Sequence, residues 1–269
     1  MAPWYIAVIM GLVEGLTEFL PVSSTGHLIL AGHALDFTGA KADTFEIAIQ
    51  LGAILAVAVL YRERFLGLAK ADPARPFSGA RGVWLLFLTS LPALVVGFLA
   101  HGAIKAHLFG PSTVALALLA GGVLMLVVEA HAAKMSRVRL VGGLDSLSPR
   151  LALLIGLFQC LSLWPGFSRA GATIMGGMLV GVDRKTAAEY SFLAAVPVMC
   201  AAVGYDLLKN GHLFASGDLA FLSIGFAVSF VSGWAAVKGF IGLLSHCTLR
   251  PFAWYRLALA PLVWLFWPG

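Results

Sequence analysis

The side chains best suited to chemistry in this chain fall in two short stretches, "EGLTEFLPVSSTGH" (14–27) and "WPGFSRAGATI" (164–174). Glu14 and Glu18 stand four residues apart, so a helix puts both carboxylates on one face. Two such hard oxygen ligands suit a divalent cation, Mg2+ or Ca2+. The multiple imidazoles or thiolates expected for zinc are missing. Pro21 removes a backbone donor and breaks that helix. Ser23, Ser24 and Thr25 then precede a new apolar run, as a cap cluster would, and His27 falls in its first turn. In the second stretch Pro165 and Gly166 make the break, Ser168 is the cap, and Arg169 follows with Thr173 on its face. Two helix starts aimed at one cavity form an anion site, and an arginine adds a two-pronged phosphate ligand. The combination describes a diphosphate clamp, in which a cation neutralises phosphate oxygens and a hydroxyl beside an imidazole attacks.

Magnitude argues that this chemistry is used. Each charged residue near a bilayer centre costs about 2.5–3.5 kcal/mol. Glu14, Glu18 and Arg169 would together cost on the order of 8–10 kcal/mol if they faced lipid. A Glu–Arg bridge alone could be structural; a second glutamate without a basic partner counts against that.

The elements that must hold these groups are read from composition. The chain has 269 residues, is 60% hydrophobic and 12% charged, with a mean hydropathy of +0.92. A soluble domain carries roughly 25% charged residues. The pattern predicts an all-α polytopic membrane protein, since a bilayer core needs about 20 apolar helical residues. The short alternating segments of a β-barrel are absent. No cleavable signal peptide is expected. Three scattered cysteines predict neither a disulfide nor a thiolate metal site. The net charge of +5 sits in loops, with no basic helix or aromatic platform for nucleic acid.

Basic residues gather at 61–81, 134–150, Arg184–Lys185 and Lys238 to Arg250, the segments expected to face the cytoplasm. About six crossings fit, near 44–61, 82–101, 113–131, 187–208, 219–238 and 251–268. Two interrupted segments, 4–35 and 150–182, are left over. A shift of 145 residues lays one on the other: Gly11 on Gly156, Glu14 on Gln159, Ser23 on Ser168, Gly26 on Gly171. Three crossings separate the copies, so their orientations are opposite. Paired, broken apolar segments of opposite orientation point to a midplane site, because broken backbone at that depth must be buried in protein or line a polar cavity. The expectation is a single membrane domain, 1–269, built from two re-entrant helix hairpins and an inverted-topology repeat. Its halves are approximately 1–131 and 150–269, joined by a cytoplasmic loop 132–149. A kinked spanning helix in place of either hairpin would change the topology but not the location of the cluster.

These residues resemble the undecaprenyl-pyrophosphate phosphatases, the bacitracin-resistance family. Supporting segments are "TFEIAIQLGAILAV" (44–57), "GMLVGVDRKTAAEYSFLAAVP" (177–197) and "RPFAWYRL" (250–257). The resemblance spans nearly the whole chain. It implies a metal-dependent enzyme of the bacterial inner membrane that converts a C55 polyprenyl diphosphate to the monophosphate plus inorganic phosphate. That reaction regenerates the lipid carrier for peptidoglycan, with the site open toward the periplasmic side. Position by position, it implies Glu14 and Glu18 as cation ligands and Ser24 and His27 as the hydroxyl–imidazole pair. Ser168, Arg169 and Thr173, with Ser23 and Ser24, are implied as the diphosphate grip. Ser24 is the candidate nucleophile with His27 as base; His27 or an activated water attacking directly is the alternative. The position after Arg169 is often Ser in that family and is Ala170 here, which removes a hydroxyl from that corner.

Glu46, Gln50, Gln159, Glu189 and Ser191 are further expected to line the cavity. The partners expected are the polyprenyl diphosphate and the bilayer, with a homodimer compatible and nucleic acid not expected. A secondary transporter or flippase for an anionic lipid or solute is the alternative class, since opposed broken hairpins with a midplane anion site are also a transporter device.

Overall fold

A computed structural model describes residues 2–134, 140–244 and 246–267. Part of the expected joining loop, 135–139, lies outside them. The described residues are helical, with short 3-10 turns and isolated bridges but no strands.

Five helices are long and apolar enough to cross a membrane. They are α3 (Ala40–Leu60), α5 (Gly79–His107), α6 (Pro111–Lys134), α9 (Arg184–Asn210) and α10 (Leu219–Leu244). The shortest, at 21 residues, is about 31 Å long, which matches a bilayer core. The sixth expected crossing falls on a shorter helix. Its segment forms α11 (Arg250–Phe266), whose 17 residues span about 26 Å. It also carries a charge in its second turn, Arg256, and it is not among the five. The rest of the chain comprises α1 (Trp4–Thr17), α2 (Ser24–Ala34), a short α4 (Arg62–Gly67), α7 (Pro149–Gln159) and α8 (Arg169–Leu179). Helices of 11 to 14 residues reach only about 17–21 Å.

The two ends of the bundle differ in chemistry. At one end Arg64 meets Asp145 at 3.0 Å. There Glu129 also collects Arg184 at 2.6 Å and the Leu249 N–H at 2.7 Å. These contacts gather the basic segments on one face. At the opposite end Lys41 bonds both oxygens of Asp218 at 2.8 Å, and the Trp264 indole donates to Ser112 Oγ at 3.2 Å. Between the ends, large apolar side chains such as Phe98 (83% exposed) and Leu208 (92%) point outward. Exposure of this kind fits a lipid-facing surface rather than a soluble one.

Small residues set the close contacts. A Cβ on Gly11 would lie 2.6 Å from Gly225 O, so α1 meets α10 backbone to backbone. A Cβ on Gly156 would lie 2.6 Å from Thr89 O, so α7 meets α5 in the same way. Packing is otherwise close around buried Phe19, Phe45, Tyr190 and Phe192, as interiors require.

Candidate active site

Both interruptions are built alike. Ser23 caps α2 with φ 72 and its Oγ accepts from the Gly26 N–H. Ser168 caps α8 with φ 74 and its Oγ accepts from the Gly171 N–H. A left-handed serine costs on the order of 1–3 kcal/mol, a strain that clusters where function over-determines the backbone. Each cap leaves the first N–H groups of its helix without intrahelical acceptors. Ser23 and Ser168 each spend one lone pair on capping, and their hydroxyl protons remain for a ligand.

The two starts face each other through side chains. Ser24 Oγ donates to Glu18 Oε2 at 2.6 Å. Glu18 Oε1 accepts from Arg169 Nη2 at 3.3 Å, with the two side chains 9% and 11% exposed. Arg169 Nη1 continues to the Ser191 carbonyl at 3.1 Å and to its Oγ at 3.4 Å. Ser191 Oγ pairs with Thr173 Oγ1 at 2.6 Å. One chain of contacts thus runs Ser24, Glu18, Arg169, Ser191, Thr173, across both breaks.

The expected imidazole is not in that chain. His27 Nδ1 bonds the Ser23 carbonyl at 2.7 Å and Nε2 bonds Tyr255 OH at 2.6 Å. Its ring stacks on Tyr255 with centroids 5.5 Å apart. The group that accepts the Ser24 hydroxyl hydrogen bond is Glu18. His27 braces the serine turn from behind.

Glu14 is fully buried, and neither of its oxygens has a hydrogen-bond partner. Arg169 Nε is likewise buried and unpartnered. An unsatisfied buried polar group costs about 1–3 kcal/mol, more when charged, and native structures keep few. An orphan donor and two orphan acceptors beside one ion pair fit a ligand that brings anionic oxygens and a cation together. Among the described residues no group of three or more His, Cys, Asp or Glu is placed to hold a metal. Mg2+ does not need one, because it keeps several waters and is held through one or two carboxylates plus substrate phosphates. Glu14, with both oxygens unpartnered, would be the free ligand for such an ion, and Glu18 is shared with Ser24 and Arg169.

The remaining expected residues divide. Glu46 lines a cavity of about 220 Å³ at the Lys41 end, together with His33, Asp43 and Trp267. Its charge is close enough to act on Glu14. Gln50 is one turn further along α3 and half-buried. Gln159 is buried and donates to Thr89 O at 3.3 Å, a packing contact between α7 and α5. Glu189 is a correction. It lies among Lys185, Arg64 and Asp183, and at 3.6 residues per turn it points about 160° away from Ser191, two positions on. Ser191 belongs to the site and Glu189 to the basic face.

Three contributors escaped the sequence reading. Arg256, fully buried, donates to Pro21 O (3.4 Å), Phe167 O (2.7 Å) and Gly166 O (3.1 Å), tying both breaks together. It also donates to Ala117 O at 3.1 Å and Leu118 O at 3.3 Å on α6. Its signal was available, since an arginine inside an apolar helix is costly and needs a reason. Phe19 lies under the Arg169 guanidinium, 5.5 Å from its ring centroid. Tyr255 holds His27.

Comparison with known proteins follows the same residues. The profile of the family "Bacitracin resistance protein BacA" matches residues 7–262. A relative from Maridesulfovibrio salexigens named "Undecaprenyl-diphosphatase" is 64% identical over 267 residues, 99% of this chain and all of the relative. One of the same name from Nitratidesulfovibrio vulgaris is 63% identical over 266 residues, 99% of each chain. "Undecaprenyl-diphosphatase 1" of Bacillus thuringiensis is 48% identical over 266 residues, 99% of each chain. Matched from its seventh residue to within a few of its last, with both serine-capped breaks inside the matched region, this chain belongs to the BacA bacitracin-resistance family.

Proposed function

We propose that this protein hydrolyses undecaprenyl diphosphate to undecaprenyl phosphate and inorganic phosphate, recycling the lipid carrier of cell-wall synthesis in the bacterial inner membrane. The observation that carries the reading is the Ser24–Glu18–Arg169 connection, which joins a nucleophile, a proton acceptor and a phosphate ligand from two distant breaks. Membership of the family and the names of the relatives support hydrolysis over transport.

The geometry supports the following course. Arg169 and the first N–H groups of α2 and α8 hold the diphosphate. Ser24 Oγ attacks the terminal phosphorus and passes its proton to Glu18 Oε2, 2.6 Å away. The bond from that phosphorus to the bridging oxygen breaks, and the prenyl monophosphate leaves with the proton from Glu18, which returns to its carboxylate form. Water then cleaves the phosphoserine, with Glu18 as the base, giving inorganic phosphate and restoring the serine. Direct attack by a water bonded to Glu18 yields the same products. A divalent cation bound at Glu14 and Glu18 would neutralise phosphate oxygens as charge develops.

The architecture is best described as two inverted halves, 1–131 and 150–269. The matched caps at Ser23 and Ser168 support this. So does the exchange of partners: α1 of one half packs on α10, and α7 of the other packs on α5. The short helices flanking each break then form re-entrant hairpins whose tips meet at the midplane. The positive-inside rule puts the Arg64–Asp145 end in the cytoplasm and the Lys41–Asp218 end in the periplasm. The cavity beside Glu46 opens on that second side.

Phosphate release from a C55 diphosphate by the purified protein tests the function. Ser24→Ala should lower kcat at least about a thousandfold, on the order of 4 kcal/mol of barrier, with the fold intact. Near-normal release would refute the serine as nucleophile, and none from the unaltered protein would refute the function.

A further inference from the structure

One buried carboxylate outside the site is left without a role. Glu129 lies on α6 and is 2% exposed, beside Arg184, whose side chain is 26% exposed. Its Oε1 accepts from Arg184 Nε at 2.9 Å and from the Leu249 N–H at 2.7 Å. Its Oε2 accepts from Arg184 Nη2 at 2.6 Å. A carboxylate in an apolar helix is costly and needs a reason. The cap position of α11 is Leu249, whose side chain offers no acceptor. Glu129 supplies from another helix the reach-back bond that a capping box makes within one. Arg184 is the first residue of α9. One carboxylate therefore pins the starts of two helices to a third.

What those two helices carry separates this junction from a local staple. Ser191, whose carbonyl accepts from Arg169 Nη1 at 3.1 Å, stands seven residues after Arg184. Arg256, which donates to Gly166 O and Phe167 O at one break and to Pro21 O at the other, stands seven residues after Leu249. Seven residues are two helical turns, about 10 Å along the axis and within about 20° of the same face. A helix is stiff over that length, so a slip at either start reaches the site undiminished. Asp145 at the same end of the bundle has no such reach. Its partners are Arg64 and the Phe77 N–H, neither of which lies on α9 or α11.

We infer that Glu129 is a positioning residue: paired with Arg184, it fixes the axial register of α9 and α11, and thereby the place of Arg169 against Ser24. The inference rests on the proposed phosphatase activity. Glu129 touches neither the substrate nor the reacting atoms and acts only through Ser191 and Arg256. A misplacement of about 1 Å between phosphate ligand and nucleophile costs on the order of a hundredfold in rate. Ground-state binding of the diphosphate is shared among Arg169 and two helix starts, so it changes far less. The loss therefore falls on kcat rather than on KM.

Glu129→Gln keeps the shape of the side chain but turns one acceptor oxygen into a donor. Whichever way the amide sits, it opposes a donor of Arg184. Full-length protein in lipid nanodiscs is assayed for phosphate release from undecaprenyl diphosphate, counted per folded molecule. Asp145→Asn, which breaks the Arg64 ion pair at the same end, is the control for lost stability alone. For Glu129→Gln the expected result is kcat at least about tenfold lower with KM within about threefold. For Asp145→Asn, kcat should stay within about twofold of the parent. Unchanged kcat in Glu129→Gln, or the same loss in both variants, overturns the positioning role. If Glu129→Gln does not fold, Arg184→Lys, which keeps the charge and loses the fork, is held to the same criteria. If neither folds, the junction serves folding and the positioning role is overturned. Unaltered protein that releases no phosphate refutes the phosphatase reading itself, and amide hydrogen exchange then decides the junction alone. Faster exchange at 20–24 and 164–172 in the variant supports it, and unchanged exchange there overturns it.

Discussion

Arg256→Met is the perturbation the architecture should feel most. The guanidinium is fully buried and donates to five carbonyls, three of them at the two breaks. No carboxylate faces it, so carbonyl dipoles alone compensate the charge. Hydrogen bonds to a charged group are worth about 1.5–3 kcal/mol each, but the cost of burying the cation offsets several kcal/mol of their sum. Loss of these five donated bonds, three of them to carbonyls at the breaks outside regular helix, set against relief of that cost, leaves a net loss of about 3–5 kcal/mol. At about 2–4 °C per kcal/mol for chains of this order of size, Tm should fall by roughly 6–20 °C. Catalysis should suffer more than stability, because a misplacement of about 1 Å between Ser24 and Arg169 costs on the order of a hundredfold. Thermal unfolding followed by tryptophan fluorescence, with phosphate release on the same sample, reads both. Arg256→Lys keeps the charge but not the planar fork and should resemble Met more than Arg. Gly121→Ala should shift both readouts the same way, since its Cβ would overlap the guanidinium. A Met variant within about 2 °C and twofold of the parent would refute the clamp.

Two further outcomes follow from named groups. Glu14→Gln should fold normally and lose at least about tenfold in Mn2+ affinity, or 1.4 kcal/mol, by electron paramagnetic resonance titration; unchanged affinity would remove Glu14 as a ligand. Asp145, on the basic face, is partly buried, which would raise its pKa. The Phe77 N–H and Arg64 outweigh that and hold it below its ordinary 3.8. A depressed carboxyl stabilises the fold above its unfolded pKa, and that contribution is lost as pH falls through the folded value. Asp145→Asn should therefore lower Tm at pH 7, and its deficit should shrink below about pH 4; a deficit constant from pH 7 to 3 would contradict this.

The two breaks were legible because their causes are local. Pro21 and Pro165–Gly166 stop helices wherever the chain goes, and a serine followed by an apolar run marks a helix start. Glu18 and Arg169 could be paired from sequence because charge inside lipid demands a partner. The hydrogen-bond acceptor of Ser24 was not legible. Three residues along one helix, His27 looks adjacent to the hydroxyl, but its ring turns back to the Ser23 carbonyl and is fixed by Tyr255 from the far end of the chain. Arg256 stood out as a charge in an apolar helix, but its role was hidden for a related reason. Its acceptors are backbone carbonyls, which any sequence supplies, so no side-chain pattern announces them. The sixth expected segment forms α11, whose 17 residues are fewer than those of the five long spans and keep Arg256 in the second turn. Glu189 and Ser191 looked equivalent by proximity, yet two helical steps separate their faces.

The central claim is that side chains from both breaks act as one unit, and a double-mutant cycle in kcat/KM for undecaprenyl diphosphate tests it most directly. Ser24→Ala and Arg169→Gln are measured singly and together. If the unit is real, the double variant should be scarcely worse than the more damaged single one, a coupling of at least about 2 kcal/mol. Losses that simply add would mean that the serine and the arginine serve separate sites, and the shared diphosphate clamp would be wrong.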